Sequence, residues 1–166
     1  MTASMLAECS PAKKEAHIKL PPATMEGANT FGCEFNGAAW MPQNNDKALG
    51  SNLEFFYDKR EGLTIKAIKV KDNVEEFIYI TIGDCGGTGI YSTALNNVAV
   101  AYTNYRKAAD CVSLFSRNPK VQATGTVRIT RLDEAAGIVS GVFDLQLSKE
   151  GCEEVILKEG RFDGKL

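Results

Sequence analysis

The residues with chemical potential in this chain are its cysteines, its one histidine, one glycine-rich loop and a scatter of carboxylates. Cys85 lies in Gly83-Asp84-Cys85-Gly86-Gly87-Thr88-Gly89, where successive backbone amides could cradle an anion. No Gly-Lys-Ser/Thr follows it, and no helix signal comes after, so the loop reads as a strand connection. A cysteine nucleophile needs a base to withdraw its proton. The single histidine, His17, lies far from the apolar segments in a proline-containing stretch. Cysteine-histidine catalysis and a histidine-bearing zinc site have little support on that count. Asp133, Glu134, Asp144 and Asp163 could offer oxygens to calcium, but no Asp-x-Asp-x-Asp-Gly loop is present, and acids at hairpin turns are common. A carboxylate pair for a hydrolase would meet only in space. The sequence assigns no catalytic residue, no metal ligand and no cofactor.

The cysteines say more. Apart from Cys9, the chain carries Cys33, Cys85, Cys111 and Cys152, which allow three full pairings. An oxidising compartment would pair some of them, and a reducing one would leave them as core thiols. Cys33 with Cys111 is the favoured pair, since both begin or lie in apolar strand segments. Cys9 stands alone near the start, in Leu6-Ala7-Glu8-Cys9. Leu-Ala-x-Cys is the shape of a lipoprotein cleavage box, with Glu8 where a small residue is usual. Cys9 is therefore the lipidation candidate.

The elements that must position these groups are short and extended. Thr126 to Phe162 is the organising stretch: T-V-R-I-T-R-L, a turn at Asp133 to Gly137, I-V-S-G-V-F-D-L-Q-L, a turn near Gly151, and V-I-L-K-E-G-R-F-D. Val127 and Ile129 share one face, and so do Val139, Phe143, Leu145 and Leu147, as half-buried antiparallel strands require. In the last arm Phe162 returns to the face of Val155 and Leu157 only if Glu159-Gly160 forms a bulge, with Gly160 taking positive φ.

Upstream, Phe31, Cys33 and Phe35 alternate with polar residues before Asn36-Gly37, a two-residue hairpin signal. That turn pairs Phe35 with Ala38 and Cys33 with Trp40, turning Trp40 inward. Leu53, Phe55 and Tyr57 make the next strand. Leu63 and Ile65 then lie on one parity but Ile68 and Val70 on the other, which a bulge near Ala67 would reconcile. Ile78, Ile80 and Ile82 form an apolar face, Val98, Val100 and Tyr102 another, and Tyr105 to Val112 has a weak helical pattern. About nine or ten strands result, predicting an all-β antiparallel sandwich or closed barrel over residues 29–166. Residues 1–28, with Pro11, Pro21 and Pro22, read as a disordered tether.

At 166 residues the chain can bury roughly two-thirds of its unfolded surface. Nineteen basic and 21 acidic residues are intermixed, which argues against a nucleic-acid surface. No apolar run approaches the roughly 20 residues of a membrane helix.

Two segments, N-T-F-G-C-E-F-N-G-A-A-W-M-P and T-G-T-V-R-I-T-R-L-D with G-I-V-S-G-V-F-D-L and E-G-R-F-D, resemble the two ends of a lipoprotein family of Bacteroidota. The resemblance spans Asn29 to Asp163 and is looser in the middle. It implies a lipid anchor and residence in the cell envelope (periplasm or outer membrane), and it supplies no activity or catalytic residue. The expected function is a non-enzymatic binding or structural module whose partner is an envelope protein, a glycan or a small ligand. Exposed tyrosines among Tyr57, Tyr79, Tyr91, Tyr102 and Tyr105 would serve a glycan. The alternatives are a lipocalin-like carrier, with a cavity lined by Phe31, Phe55, Ile80 and Phe143, and a carboxylate-dependent hydrolase.

Overall fold

The structure is a computed structural model, and it describes residues 19–43 and 51–166. Eleven strands are found among them. Asn36 and Gly37 both take positive φ (47° and 83°), the two-residue turn that matches strand twist. It joins β1 (Thr30–Phe35) to β2 (Ala38–Trp40) in the expected register, with Cys33 opposite Trp40 and Phe35 opposite Ala38. Asp72 and Asn73 repeat the device between β4 (Gly62–Lys71) and β5 (Val74–Ile82). The remaining strands are β3 (Leu53–Asp58), β6 (Gly89–Ser92), β7 (Val98–Asn104), β8 (Ser113–Phe115), β9 (Gln122–Asp133), β10 (Ile138–Ser148) and β11 (Val155–Lys165). The predicted helical stretch over Tyr105 to Val112 is only a single 3₁₀ turn at Ala109–Cys111.

The strands form two sheets, ordered β2-β1-β11-β10-β9-β6 and β3-β4-β5-β7-β8. They pack as a sandwich and not as a closed barrel. Period-two alternation places Leu63, Ile65, Ile78, Ile80, Val100 and Tyr102 on one inner face, against Phe31, Val127, Phe143, Leu145 and Phe162 on the other. Trp40 is 2% exposed and meets Phe31 edge to face, with centroids 5.9 Å apart.

The C-terminal meander β9-β10-β11 forms as expected, and its bulge falls at Glu159-Gly160, though by a different device. Positive φ is taken by Glu159 (47°), whose amide donates to Asp144 Oδ1 at 3.0 Å. Gly160 is needed for room. A Cβ there would sit 2.2 Å from the Phe143 ring, and one at Gly141 would sit 2.5 Å from Phe162. Phe143 pairs with Gly160 and Gly141 with Phe162, so each strand's ring lies over the other's glycine. The two rings then meet at 6.5 Å and 27°. Gly-x-Phe occurs once in each strand, and antiparallel pairing interlocks the two copies.

Two further expectations fail. β4 has no bulge near Ala67: its pairing with β5 runs unbroken from Leu63–Ile82 to Lys71–Val74. Ile68 and Val70 therefore take the outer parity of the sheet, and Ile68 is nonetheless covered there, at 3% exposed. The packed body also starts earlier than Asn29. Asp163, 1% exposed, receives Thr24 Oγ1 (2.6 Å), the amides of Glu26 (3.0 Å), Gly27 (2.8 Å) and Ala28 (3.2 Å), and Ser140 Oγ (2.7 Å). Arg131 holds the Met25 carbonyl at 2.6 Å. A proline-bearing stretch with little apolar area is thus strapped to the sheet through its backbone donors, which composition does not reveal. The part of the predicted tether before residue 19, with Cys9 and His17, lies outside the described residues.

Candidate functional site

The predicted disulfide partner is corrected by the topology. Cys111 ends the 3₁₀ turn between β7 and β8 and bonds Cys152 in the β10–β11 turn, with Cα atoms 5.6 Å apart. The bridge joins the two sheets at one end. Cys33 cannot take part, since it is wholly buried in β1 and free. Burial pushes its thiol pKa up to about 12, against a smaller pull from Lys69. Cys85 is also free and buried, its thiol pKa raised mainly by burial. Its loop runs from one sheet to the other and is pinned on both sides. Tyr57 of β3 donates to the Cys85 carbonyl (3.1 Å) and Tyr91 of β6 to the Gly87 carbonyl (2.9 Å).

The four carboxylates considered for calcium go separate ways. Asp133 pairs with Arg131, Glu134 with Lys59, Asp144 caps the bulge and Asp163 holds the strap. A different carboxylate, Glu76, sits at the disulfide end of the core. Lys69, Glu76 and Asn104 lie in one row across β4, β5 and β7. Glu76 Oε1 accepts from Tyr102 (2.6 Å) and Asn104 Nδ2 (3.4 Å), and Oε2 accepts from Trp40 Nε1 (3.1 Å), with Lys69 Nζ at 3.6 Å. Both oxygens are thus occupied by protein donors, and the group ties Trp40 of one sheet to the other. Burial first, then the bond to Glu76, raises the Tyr102 pKa. Beside this row is a cleft of about 120 Å³, lined by Phe35, Tyr102, Lys107 and Glu153 among others, in which Lys107 and Glu153 pair.

The predicted cavity residues Phe31, Phe55, Ile80 and Phe143 all belong to one continuous buried cluster. Phe31 and Phe143 approach to 5.3 Å and Phe55 meets Phe162 at 6.2 Å. They fill the space between the sheets.

The outward face of the five-stranded sheet gathers the exposed aromatic side chains of this molecule's β-strands and their flanks. Phe56 is 57% exposed, Tyr105 64% and Phe115 42%. Phe77 lies 6.4 Å from Tyr79, their planes within 10°, and Tyr105 meets Phe77 edge-on at 5.8 Å. Strand register lines up Glu54, Lys66, Tyr79, Ala101 and Phe115 across all five strands. Ala101 is the small member between two rings, so it floors a trough walled by Tyr79 and Phe115. The walls stand two strand spacings apart, roughly 10 Å. Toward Ala99 the trough reaches a recess of about 450 Å³ lined by Asn96, Ala99, Ser116 and Arg117 among others. Of the predicted tyrosines, Tyr79 and Tyr105 belong to this face, whereas Tyr57, Tyr91 and Tyr102 are held in loop and core bonds. Phe77, Phe115 and Ala101 were not singled out from sequence. For Phe77 the signal was the apolar residues on the off parity of β4 and β5.

Comparison with protein-family models, with curated proteins and with solved structures found no match.

Proposed function

We propose that this chain is a lipid-anchored protein of the bacterial cell envelope, acylated at Cys9, that works as a non-enzymatic recognition module. The observation carrying the recognition part is the outward face of the five-stranded sheet. Apolar rings at strand positions that need only be polar are costly to leave in water unless something covers them. The envelope part rests on the Leu-Ala-x-Cys box and the family resemblance. A disulfide between the sheets suits an oxidising compartment.

Two measurements test this reading. Mass spectrometry of the N-terminal peptide should find a thioether-linked diacylglycerol on Cys9, and an unmodified Cys9 in cells of a lipoprotein-producing host would overturn the anchor. An unacylated Cys9→Ser form should still sediment with isolated envelope material and lose that association with Phe77→Ser/Tyr79→Ser. Association unchanged by those substitutions would overturn the role of the face.

A further inference from the structure

We infer that the trough on the five-stranded sheet binds an uncharged polysaccharide, with pyranose rings stacked on Tyr79 and Phe115 over Ala101. The inference rests on the recognition role of this face and names its ligand. Three features narrow the occupant. The first is charge. The ionic groups in the row, Lys66 and Glu54, neutralise each other at 2.9 Å, so the row under the rings carries no net charge to select an ionic partner. The second is spacing. Tyr79 and Phe115 stand two strand spacings apart, roughly 10 Å, so one extended chain crossing β7 at Ala101 can meet both rings. The third is the mixture of groups. Aromatic faces attract the C–H-rich faces of sugars through dispersion and the negative ring quadrupole. The hydroxyl ring of a sugar then needs partners at its edge. Thr103 and Ser113, bonded to each other at 3.1 Å, lie one register step from Ala101 on one side. Asn96, Ser116 and Arg117 line the recess on the other. Apolar floor with polar ends is the pattern of a small-ligand site, here drawn out along β7.

The test uses the full-length Cys9→Ser protein and protein-free, insoluble β-linked glucan, xylan and mannan in a pull-down, with affinity electrophoresis on soluble forms. At least one polymer should retain the protein. Tyr79→Ser and Phe115→Ser should each weaken retention about tenfold or more, and Arg128→Ser with Val142→Ser on the opposite face should leave it within about twofold. Melting temperatures of all variants within a few degrees of the parent would show that the losses are not unfolding. No retention by any polymer, or retention indifferent to Tyr79, would overturn the inference. If envelope sedimentation persists while every purified polymer fails, and protease treatment of the envelope abolishes it, the ligand is protein and only the polysaccharide assignment falls.

Discussion

The two outward faces of this sandwich are built on opposite rules. The six-stranded sheet presents Thr126, Arg128, Asp144 and Lys158 to solvent, with single aliphatic side chains, Ile90 and Val142, among them, and residues 24–28 are bonded to it at Asp163. The five-stranded sheet carries the exposed rings of Phe56, Tyr105 and Phe115 and the half-buried rings of Phe77 and Tyr79. Both have equally apolar inner faces, so the difference is not required by the fold. One outer face meets the ordinary demand for solubility and is partly covered by its own chain. The other keeps apolar area in the open. Surface composition that folding does not demand points to use.

Four outcomes would break or sharpen this contrast. The largest effect should come from the bond that unites the sheets. Cys111 and Cys152 are 41 residues apart, and chain entropy gives such a loop about 4 kcal/mol. Replacing both by Ser should lower the urea-unfolding free energy by nearly that much without changing either face. A loss under about 1 kcal/mol would mean the sheets hold together without the staple.

Next comes the strap. Burial alone would raise the Asp163 pKa, but Thr24, the Glu26 and Gly27 amides and Ser140 outweigh it and hold the carboxyl well below its usual value of 3.8. Stability from this group is therefore full above that value and is lost as pH falls toward the lower folded value. Asp163→Asn should cost about 3 kcal/mol at neutral pH and flatten the decline of melting temperature below about pH 4. It should also expose residues 20–28 to protease. Equal acid slopes in the two proteins would remove Asp163 from the account of the covered face.

Gly160→Ala places a methyl 2.2 Å from the Phe143 ring and should cost roughly 1–3 kcal/mol in denaturant melts. An effect near zero would show that the interlocked rings have slack.

The smallest effect is the most telling. Phe77→Ser/Tyr79→Ser should change stability by no more than about 1–2 kcal/mol while reducing binding of a hydrophobic dye. A large loss would show the aromatic face to be structural, and the contrast with the opposite face would lose its functional meaning.

The sequence made the hairpin at Asn36-Gly37 and the C-terminal meander legible because each depends on local turn chemistry and parity. The burial of Trp40 and the position of the Glu159-Gly160 bulge followed from the same logic. What escaped was fixed by distant parts of the chain. The partner of Cys111 depends on which turns meet at one end of the sandwich. The strap depends on one buried aspartate collecting backbone amides more than 130 residues away in sequence. The parity change at Ile68 was visible but explained by the wrong cause, because a bulge assumes that only one face can be apolar. That mistaken bulge was the trace of the candidate site.

The sheet borders carry a consequence of their own. β2 and β8 have three residues each and β6 has four, and the longer border strand β3 carries Glu54 and Asp58. A lipid anchor would crowd many copies into one plane, where unpaired strand edges invite neighbours to continue each other's sheets. Borders this short, or this charged, offer too few free backbone groups for such growth. Borders of this kind would let the proposed anchored form stand densely with its aromatic face open and without edge-to-edge growth.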